Sequence, residues 1–194
     1  MTRQSSESRK TLETTVDIAL DIDGTGRSSV ETGVGFLDHL LTSMAHHALF
    51  DLQVTTTGDL HVDDHHTVED TALVLGQALA AAVGDRSGIR RFGNASVPMD
   101  EAVATAVVDV GGRPYAVIDL PFTQQSIGNL STQNIAHALE ALARTAGMTL
   151  HLTAAGRNDH HIAEAAFKAL AVALREAVSV DTRRAGIAST KGTA

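Results

Sequence analysis

The sequence predicts an α/β (α+β) fold in which one structural unit occurs twice. The segment Asp64–Glu69, Asp-His-His-Thr-Val-Glu, recurs as Asp159–Glu164, Asp-His-His-Ile-Ala-Glu. Each copy opens a long stretch rich in Ala and Leu, with apolar residues at helical spacing. The order strand, strand, helix, strand, helix also occurs twice. We therefore expect two pseudo-symmetric halves that pack face to face about a pseudo-twofold axis.

The first half begins with alternating apolar and polar residues over Thr11–Asp21, which predicts a strand. A turn signal at Asp23–Gly26 follows, and we interpret Ser28–Glu31 as the return strand of a hairpin. Apolar spacing of three and four over Phe36–Ala48 predicts the first helix, and Asp51–Thr57 has the pattern of a short strand.

The helix that carries the first His-His pair runs through Val68–Val83 and ends at the Gly-Asp pair that follows. The second half repeats this order of strands and helices. Its predicted elements are the strands Ala102–Val110 and Tyr115–Leu120, the helix Ile135–Ala146, the strand Met148–Ala154 and the helix Ile162–Val178. We divide the chain into a flexible N-terminus (1–9), a first half (10–95), a second half (96–181) and a C-terminal tail (182–194).

Composition excludes several classes of protein. The chain has 194 residues, of which 43% are hydrophobic, enough for a substantial core. It has no cysteine, which rules out disulfides, thiolate zinc sites and iron–sulfur clusters. A net charge of -8 argues against nucleic-acid binding, and no apolar run is long enough to span a membrane. The N-terminus lacks a secretory signal, so a cytoplasmic location is expected.

The ten histidines are the unusual feature of the composition, and the repeat explains most of them. Positions i and i+4 lie on one face of a helix, so His65 and Glu69 can bind one metal ion, as can His160 and Glu164. The second histidine of each pair points elsewhere and can reach the ion of the other half. One further histidine in each half completes six imidazoles and two carboxylates, enough for two ions. The eight predicted ligands are His39, His65, His66, Glu69, His137, His160, His161 and Glu164.

Nitrogen and oxygen ligands without sulfur suit Mn²⁺, Fe²⁺, Co²⁺ or Zn²⁺, and this ligand set does not rank them. Coordination positions left open would make the site catalytic. Arg90, Arg91, Arg113 and the segment Ser189–Gly192 together have the chemistry of a site for a phosphate monoester, although each charge taken alone is more typical of a solvated surface.

Four motifs in this order resemble the imidazoleglycerol-phosphate dehydratase family, an enzyme family of histidine biosynthesis. They are Gly35–Leu40, His61–Asp70, Asn158–Lys168 and Ser189–Gly192, and the resemblance extends over roughly Arg9 to Gly192. It implies an internally duplicated subunit in which a small sheet in each half has two helices packed on one face. It also implies a homo-oligomer of 24 subunits with active sites between subunits.

The resemblance implies a hydro-lyase with two Mn²⁺ ions per active site, which converts D-erythro-imidazoleglycerol phosphate to imidazole acetol phosphate and water. The eight histidine and glutamate residues would be the metal ligands. The substrate contacts would be Glu13, His47, Arg91, Arg113, Ser189 and Lys191.

In the mechanism that we expect from this resemblance, both ring nitrogens of the substrate bind metal, and the resulting imidazolate expels the side-chain hydroxyl. Glu13, or a metal-bound hydroxide, would handle the proton on the neighbouring carbon. The expected catalytic residues are Glu13, His65, Glu69, His160 and Glu164.

Two other functions fit the same residues. A dinuclear metallohydrolase of phosphate esters would use two metal ions and a basic phosphate site equally well. A metal-clasped assembly or storage protein would use the His–Glu clusters to join subunits.

Overall fold

The computed structural model describes residues 3–192, and the first half of the chain contains six elements. They are β1 (Gln4–Lys10), β2 (Thr14–Asp21), β3 (Ser28–Glu31), α1 (Gly35–Ala48), β4 (Asp51–Gly58) and α2 (His65–Val83). The second half contains β5 (Phe92–Met99), β6 (Ala102–Asp109), β7 (Tyr115–Asp119), β8 (Ser126–Ile127), β9 (Leu130–Ser131), α3 (Thr132–Ala146), β10 (Thr149–Ala155) and α4 (Asp159–Val178). Apart from the small β8–β9 ribbon, the two halves have the same order of elements.

Each half forms one four-stranded sheet, with the order β1-β2-β4-β3 in the first and β5-β6-β10-β7 in the second. In each sheet only the last pair is parallel, β3 with β4 and β7 with β10. Strand β2 shows the cause of the layering: Val16, Ile18 and Leu20 are buried, while the alternating positions Thr15 and Asp17 are exposed. The duplicated fold predicted from the repeat is confirmed.

The four helices lie between the two sheets. Each helix packs on the sheet of its own half, and also on a helix of the opposite half: α1 contacts α4, and α2 contacts α3. Buried side chains from both halves, such as Leu40 of α1 and Leu170 of α4, therefore belong to one continuous core. This exchange of partners brings residues of α1 close to α4, and residues of α3 close to α2.

The predicted hairpin between Thr11–Asp21 and Ser28–Glu31 is wrong. Strand β3 pairs in parallel with β4, and β4 lies between β2 and β3 in the sheet. The cause is helix α1, which connects β3 to β4 as a crossover and so permits parallel pairing. A turn does follow β2 at Asp23–Gly26. After it, however, β3 enters the sheet two positions away from β2, and β4 later fills the position between them.

The N-terminal stretch predicted to be flexible differs in the structure, where Gln4–Lys10 forms edge strand β1 against β2. Its serines and charged residues lack the apolar alternation that predicts a strand. An edge strand forms without this pattern, because backbone hydrogen bonds to one neighbouring strand hold it in the sheet. Strand β5 was not predicted either. It places the start of the second half at Phe92 instead of residue 96. Residues 1, 2, 193 and 194 of the predicted terminal segments lie outside the described residues.

The C-terminal segment returns to the loop between the two halves. Ile187 forms an antiparallel bridge with Ser87, and the Gly88 N–H donates to the Gly186 carbonyl at 2.9 Å. Within residues 3–192, no helix is long and apolar enough to cross a membrane.

In each half the first strand packs on the last helix, and this contact differs between the two halves. The Ser5 hydroxyl of β1 donates to the Ala78 carbonyl of α2 at 2.8 Å. The equivalent residue of β5 is Gly93, and a Cβ placed there would lie 2.0 Å from the Ala173 carbonyl oxygen of α4. Helix α4 therefore approaches β5 to a distance that only glycine permits.

Gly93→Ser should destabilise the protein by about 1–3 kcal/mol, because the new side chain forces α4 away from β5. The measurement is denaturant unfolding, with the exposed neighbour substitution Asn94→Ser as the control. If both variants unfold at the same denaturant concentration, the close packing of α4 on β5 is not a constraint.

Candidate active site

The first cluster of metal-binding side chains contains one residue from α1 and two from α4. The Nε2 atoms of His39 and His160 lie 3.0 Å and 2.9 Å from Oε1 of Glu164. The side chain of Asn158 caps α4 by accepting from the His160 N–H at 3.0 Å, and the Phe36 ring packs 4.8 Å from the His160 ring. Both imidazoles are partly exposed, whereas Glu164 is buried.

Glu164 is held as a carboxylate in this cluster. Burial raises its pKa, but hydrogen bonds from Lys168, His39 and His160 outweigh burial and lower the pKa to about 2. Lys168 Nζ contacts Oε2 at 2.6 Å, which leaves Oε1 facing the two histidines. His47 lies near this cluster, and burial together with the neighbouring charges of His46 and Lys168 lowers its pKa.

The second cluster is the pseudo-symmetric counterpart of the first, with two residues from α2 and one from α3. Glu69 Oε2 lies 3.6 Å from His65 Nε2, and Glu69 Oε1 lies 3.3 Å from His137 Nε2. The rings of His65 and His137 stack at 5.0 Å. Arg144 reaches the same carboxylate from solvent at 3.5 Å. Each cluster thus offers two imidazoles and one carboxylate whose ligand atoms lie within 4.8 Å of one another.

Asn134, which sequence reasoning missed, orients the second cluster. Its Oδ1 lies 3.1 Å from His65 Nδ1, so this ring nitrogen is occupied and Nε2 faces Glu69. Asp64 accepts from the N–H and hydroxyl of Ser131, at 2.7 Å each, which fixes the start of α3 beside α2. Local spacing in the sequence does not single out Asn134, because its contact with His65 joins residues 69 positions apart.

His66 and His161 do not join either cluster within one chain. His66 Nδ1 lies 3.0 Å from Asp59, and His161 Nδ1 lies 2.7 Å from Glu101. In both cases the carboxylate raises the pKa of the imidazole more than burial lowers it. Glu13 belongs to the His66 group, with its carboxylate 3.9 Å from His66 Nδ1.

Each carboxylate occupies Nδ1, the same nitrogen that Asn134 occupies on His65. Nε2 is therefore the nitrogen available for a further partner on both residues, although on His161 it lies 3.8 Å from the exposed Asp100 carboxylate. Asp59 and Glu101 are additional residues that the sequence did not single out.

The predicted phosphate contacts form a separate group around Asp109, at the end of β6. Arg91 makes a bidentate ion pair with Asp109, and Arg113 Nη2 lies 4.0 Å from the same carboxylate. Ser189 follows Ala188, whose carbonyl accepts from Arg91 at 2.6 Å. The Lys191 N–H donates to the Ser189 hydroxyl at 3.2 Å.

Both clusters fit a divalent metal ion. The Nε2 atom of His137 is buried and lies 3.3 Å from Glu69 Oε1, but among residues 3–192 no group meets the geometry of a hydrogen bond with it. A buried polar atom without a partner costs free energy unless something binds it, and an imidazole nitrogen facing a carboxylate is a typical metal ligand. A surface groove of about 740 Å³ lies on the polar outer face of the first sheet, and the residues that line it include none of the predicted site residues.

Comparison with known proteins gives the family of this chain. The family model described as imidazoleglycerol-phosphate dehydratase matches residues 32–174, which include both clusters. The chain belongs to the imidazoleglycerol-phosphate dehydratase family. It is therefore an enzyme, and the prediction of a dehydratase of histidine biosynthesis is confirmed. Family membership gives no support to the hydrolase or the storage protein.

Relatives named imidazoleglycerol-phosphate dehydratase match nearly the whole chain. The protein of Methanothermobacter thermautotrophicus is 57% identical over 190 residues, covering 98% of this chain and 97% of the relative. That of Granulibacter bethesdensis is 53% identical over 194 residues, with 99% of both chains covered.

Solved structures of the family share the fold. A crystal structure of the Pyrococcus furiosus enzyme in complex with (S)-C348 has a TM-score of 0.84 and 34% identity, covering 97% of this chain and 100% of that chain. The Staphylococcus aureus enzyme has a TM-score of 0.83 and 33% identity, covering 92% of this chain and 99% of that chain.

Proposed function

We propose that this enzyme dehydrates D-erythro-imidazoleglycerol phosphate to imidazole acetol phosphate with two Mn²⁺ ions in each active site. The observation that carries the proposal is the pair of matched clusters, each with two imidazoles and one glutamate drawn from both halves of the chain. The buried Nε2 atom of His137, which makes no hydrogen bond within the described part of the chain, supports a bound ion in the second cluster. The ions would be held by His39, His160 and Glu164, and by His65, Glu69 and His137.

His66 and His161 would complete the two ligand sets from neighbouring subunits. In one chain neither joins a cluster, yet a carboxylate on Nδ1 fixes each ring and leaves Nε2 available. Three histidines and one glutamate per ion require these two residues. The active sites would then lie between subunits, and a homo-oligomer of 24 subunits would supply the partners.

His39, His160 and Glu164, together with His65, Glu69 and His137, would hold the two Mn²⁺ ions, which would supply Lewis acidity at the imidazole ring of the substrate. The protein supplies the proton transfer. Glu13 is partly exposed beside His66, so its carboxylate is free to take the proton from the carbon next to the one that loses hydroxyl. The enol that forms would tautomerise to the ketone.

Arg91, Arg113, Ser189 and Lys191 would bind the phosphate. Arg113 is 80% exposed at its side chain and Lys191 is also exposed, so both are open to an anionic ligand. Contacts at the phosphate, far from the reacting carbons, would fix their position relative to Glu13 and the clusters. His47 would contact the substrate beside the first cluster.

The purified protein should bind about two Mn²⁺ per chain and turn over imidazoleglycerol phosphate. Chelation should abolish turnover and added Mn²⁺ should restore it, because the ions supply the Lewis acidity. Glu164→Gln and Glu69→Gln should each lose about one ion per chain, whereas His151→Ala, on an exposed strand position, should lose none. Metal analysis and ketone formation are the measurements. Absence of both bound metal and turnover after Mn²⁺ addition would overturn the proposal.

Active sites between subunits predict complementation between two inactive variants. His39→Ala and His66→Ala should each be inactive, but co-assembled chains should recover up to about a quarter of the wild-type rate for random mixing. The recovered sites combine an intact cluster from one chain with an intact His66 from the other. His39→Ala mixed with His160→Ala is the control, since both residues lie in one cluster and no site can be restored. No recovery in the first mixture would show that His66 serves its own chain.

Glu13→Gln should lower kcat about a hundredfold or more while bound Mn²⁺ stays unchanged, because the amide cannot take the proton. Turnover is compared with metal content in the same samples. Glu31→Gln, at an exposed position of β3, is the matched control. A Glu13→Gln enzyme with full turnover and bound metal would remove Glu13 from this role.

A further inference from the structure

We propose that Asp109 is a positioning residue for phosphate binding: it fixes Arg91, and through Arg91 it holds the C-terminal segment 187–192 beside Arg113. The inference rests on the proposed function, because it assigns a role within the phosphate site. Asp109 itself would not touch the phosphate, since two anions repel one another.

Asp109 and Arg91 form a two-point ion pair. Arg91 Nε lies 2.7 Å from Asp109 Oδ1, and Arg91 Nη2 lies 2.8 Å from Oδ2. The side chains are only 14% and 16% exposed, so water competes weakly for these contacts. The Arg91 guanidinium lowers the pKa of Asp109 and outweighs the opposing effect of burial. The planar carboxylate therefore sets the plane of the guanidinium.

The orientation of the guanidinium determines what its third nitrogen contacts. Nη1 donates to the Ala188 carbonyl at 2.6 Å, 97 residues further along the chain. Ser189 is the next residue, and its hydroxyl accepts from the Lys191 N–H. Arg91 thus fastens the segment that carries two of the predicted phosphate contacts. A guanidinium free to rotate would not keep this bond.

The surrounding backbone is shaped for the ion pair. Arg91 has φ 73°, an unfavourable value for a residue with a side chain, and hydrogen bonds from its N–H to Ala177 and from Val110 to its carbonyl hold it there. A Cβ on Gly111 would lie 2.6 Å from Arg91 Nε and 2.6 Å from Asp109 Oδ1. Glycine at position 111 therefore leaves room for the pair.

The equivalent position in the first half has different partners. Asp21 ends β2 as Asp109 ends β6, but it accepts from the Gln4 side chain at 2.7 Å and from the Asp23 N–H at 2.9 Å. No residue of the C-terminal segment as far as 192 is bonded to it. Arg3, which corresponds to Arg91, also makes a bidentate ion pair, with Asp23, but its Nη1 donates to the Val178 carbonyl at the end of α4. Among residues 3–192, the link from an Asp–Arg pair to segment 187–192 therefore belongs to the second half, where the predicted phosphate contacts lie.

The test compares Asp109→Asn with Asp21→Asn in the Mn²⁺-loaded, assembled enzyme. Asp109→Asn should raise KM for imidazoleglycerol phosphate about tenfold, with a smaller change in kcat, because charged hydrogen bonds to Arg91 are lost. Hydrogen exchange of residues 182–192, followed by mass spectrometry, should become faster in the same variant. Asp21→Asn should leave KM, kcat and exchange of this segment at wild-type values.

Gly111→Ala is the second variant, since its methyl group displaces the Arg91 side chain without removing a charge. It should change exchange and KM in the same direction as Asp109→Asn, and it decides the matter if Asp109→Asn does not fold. Wild-type exchange and KM in both variants would overturn the inference, as would a fall in kcat at unchanged KM. A wild-type enzyme without turnover would instead refute the proposed function, while exchange of residues 182–192 would still test the link.

Discussion

The packing of helices from one half on helices of the other is the constraint on which both ligand clusters depend. Within one half, α1 and α2 each carry part of a ligand set, and the set closes only because α1 meets α4 and α2 meets α3. The apolar stripes that bury the helices also fix the rotation of each helix about its axis. The direction in which a side chain on the adjoining helix face points is thereby fixed as well. Core packing and ligand geometry are in this sense one property of the molecule.

The helices and the ligand pairs on them could be predicted from sequence because both depend on the same period. His160 and Glu164 lie one turn apart whatever the rest of the fold does, and the structure gives 2.9 Å between their ligand atoms. The repeat also led to the duplicated fold. The pairing of strands was harder to predict, because it depends on the path of the connection between them. The edge strand β1 is polar and carries no apolar pattern. Asn134 and Glu101 act through contacts across the fold that no local spacing encodes.

Duplication gave two similar halves, and individual substitutions have since made them different. Lys168, one turn after Glu164, contacts this carboxylate, whereas the equivalent residue after Glu69 is Leu73. Glu164 therefore faces its histidines with one oxygen, while Glu69 divides its two oxygens between His65 and His137. Gly93 against Ser5 is a similar difference in the packing of the outer strand. The two clusters are thus alike in ligand type but differ in the electrostatic environment of the carboxylate.

The excess of negative charge is compatible with an anionic substrate because several carboxylates are paired with a neighbouring side chain. Asp59 and Glu101 orient imidazoles, and Asp109 orients Arg91. Each of these groups is paired with a cationic or hydrogen-bond-donating partner, and salt at physiological concentration screens what remains of its field over about 8 Å. Arg113 and Lys191 remain exposed at the rim of the Asp109 group. A phosphate approaching this part of the surface would therefore meet the exposed cations first, even though the chain as a whole carries a net charge of -8.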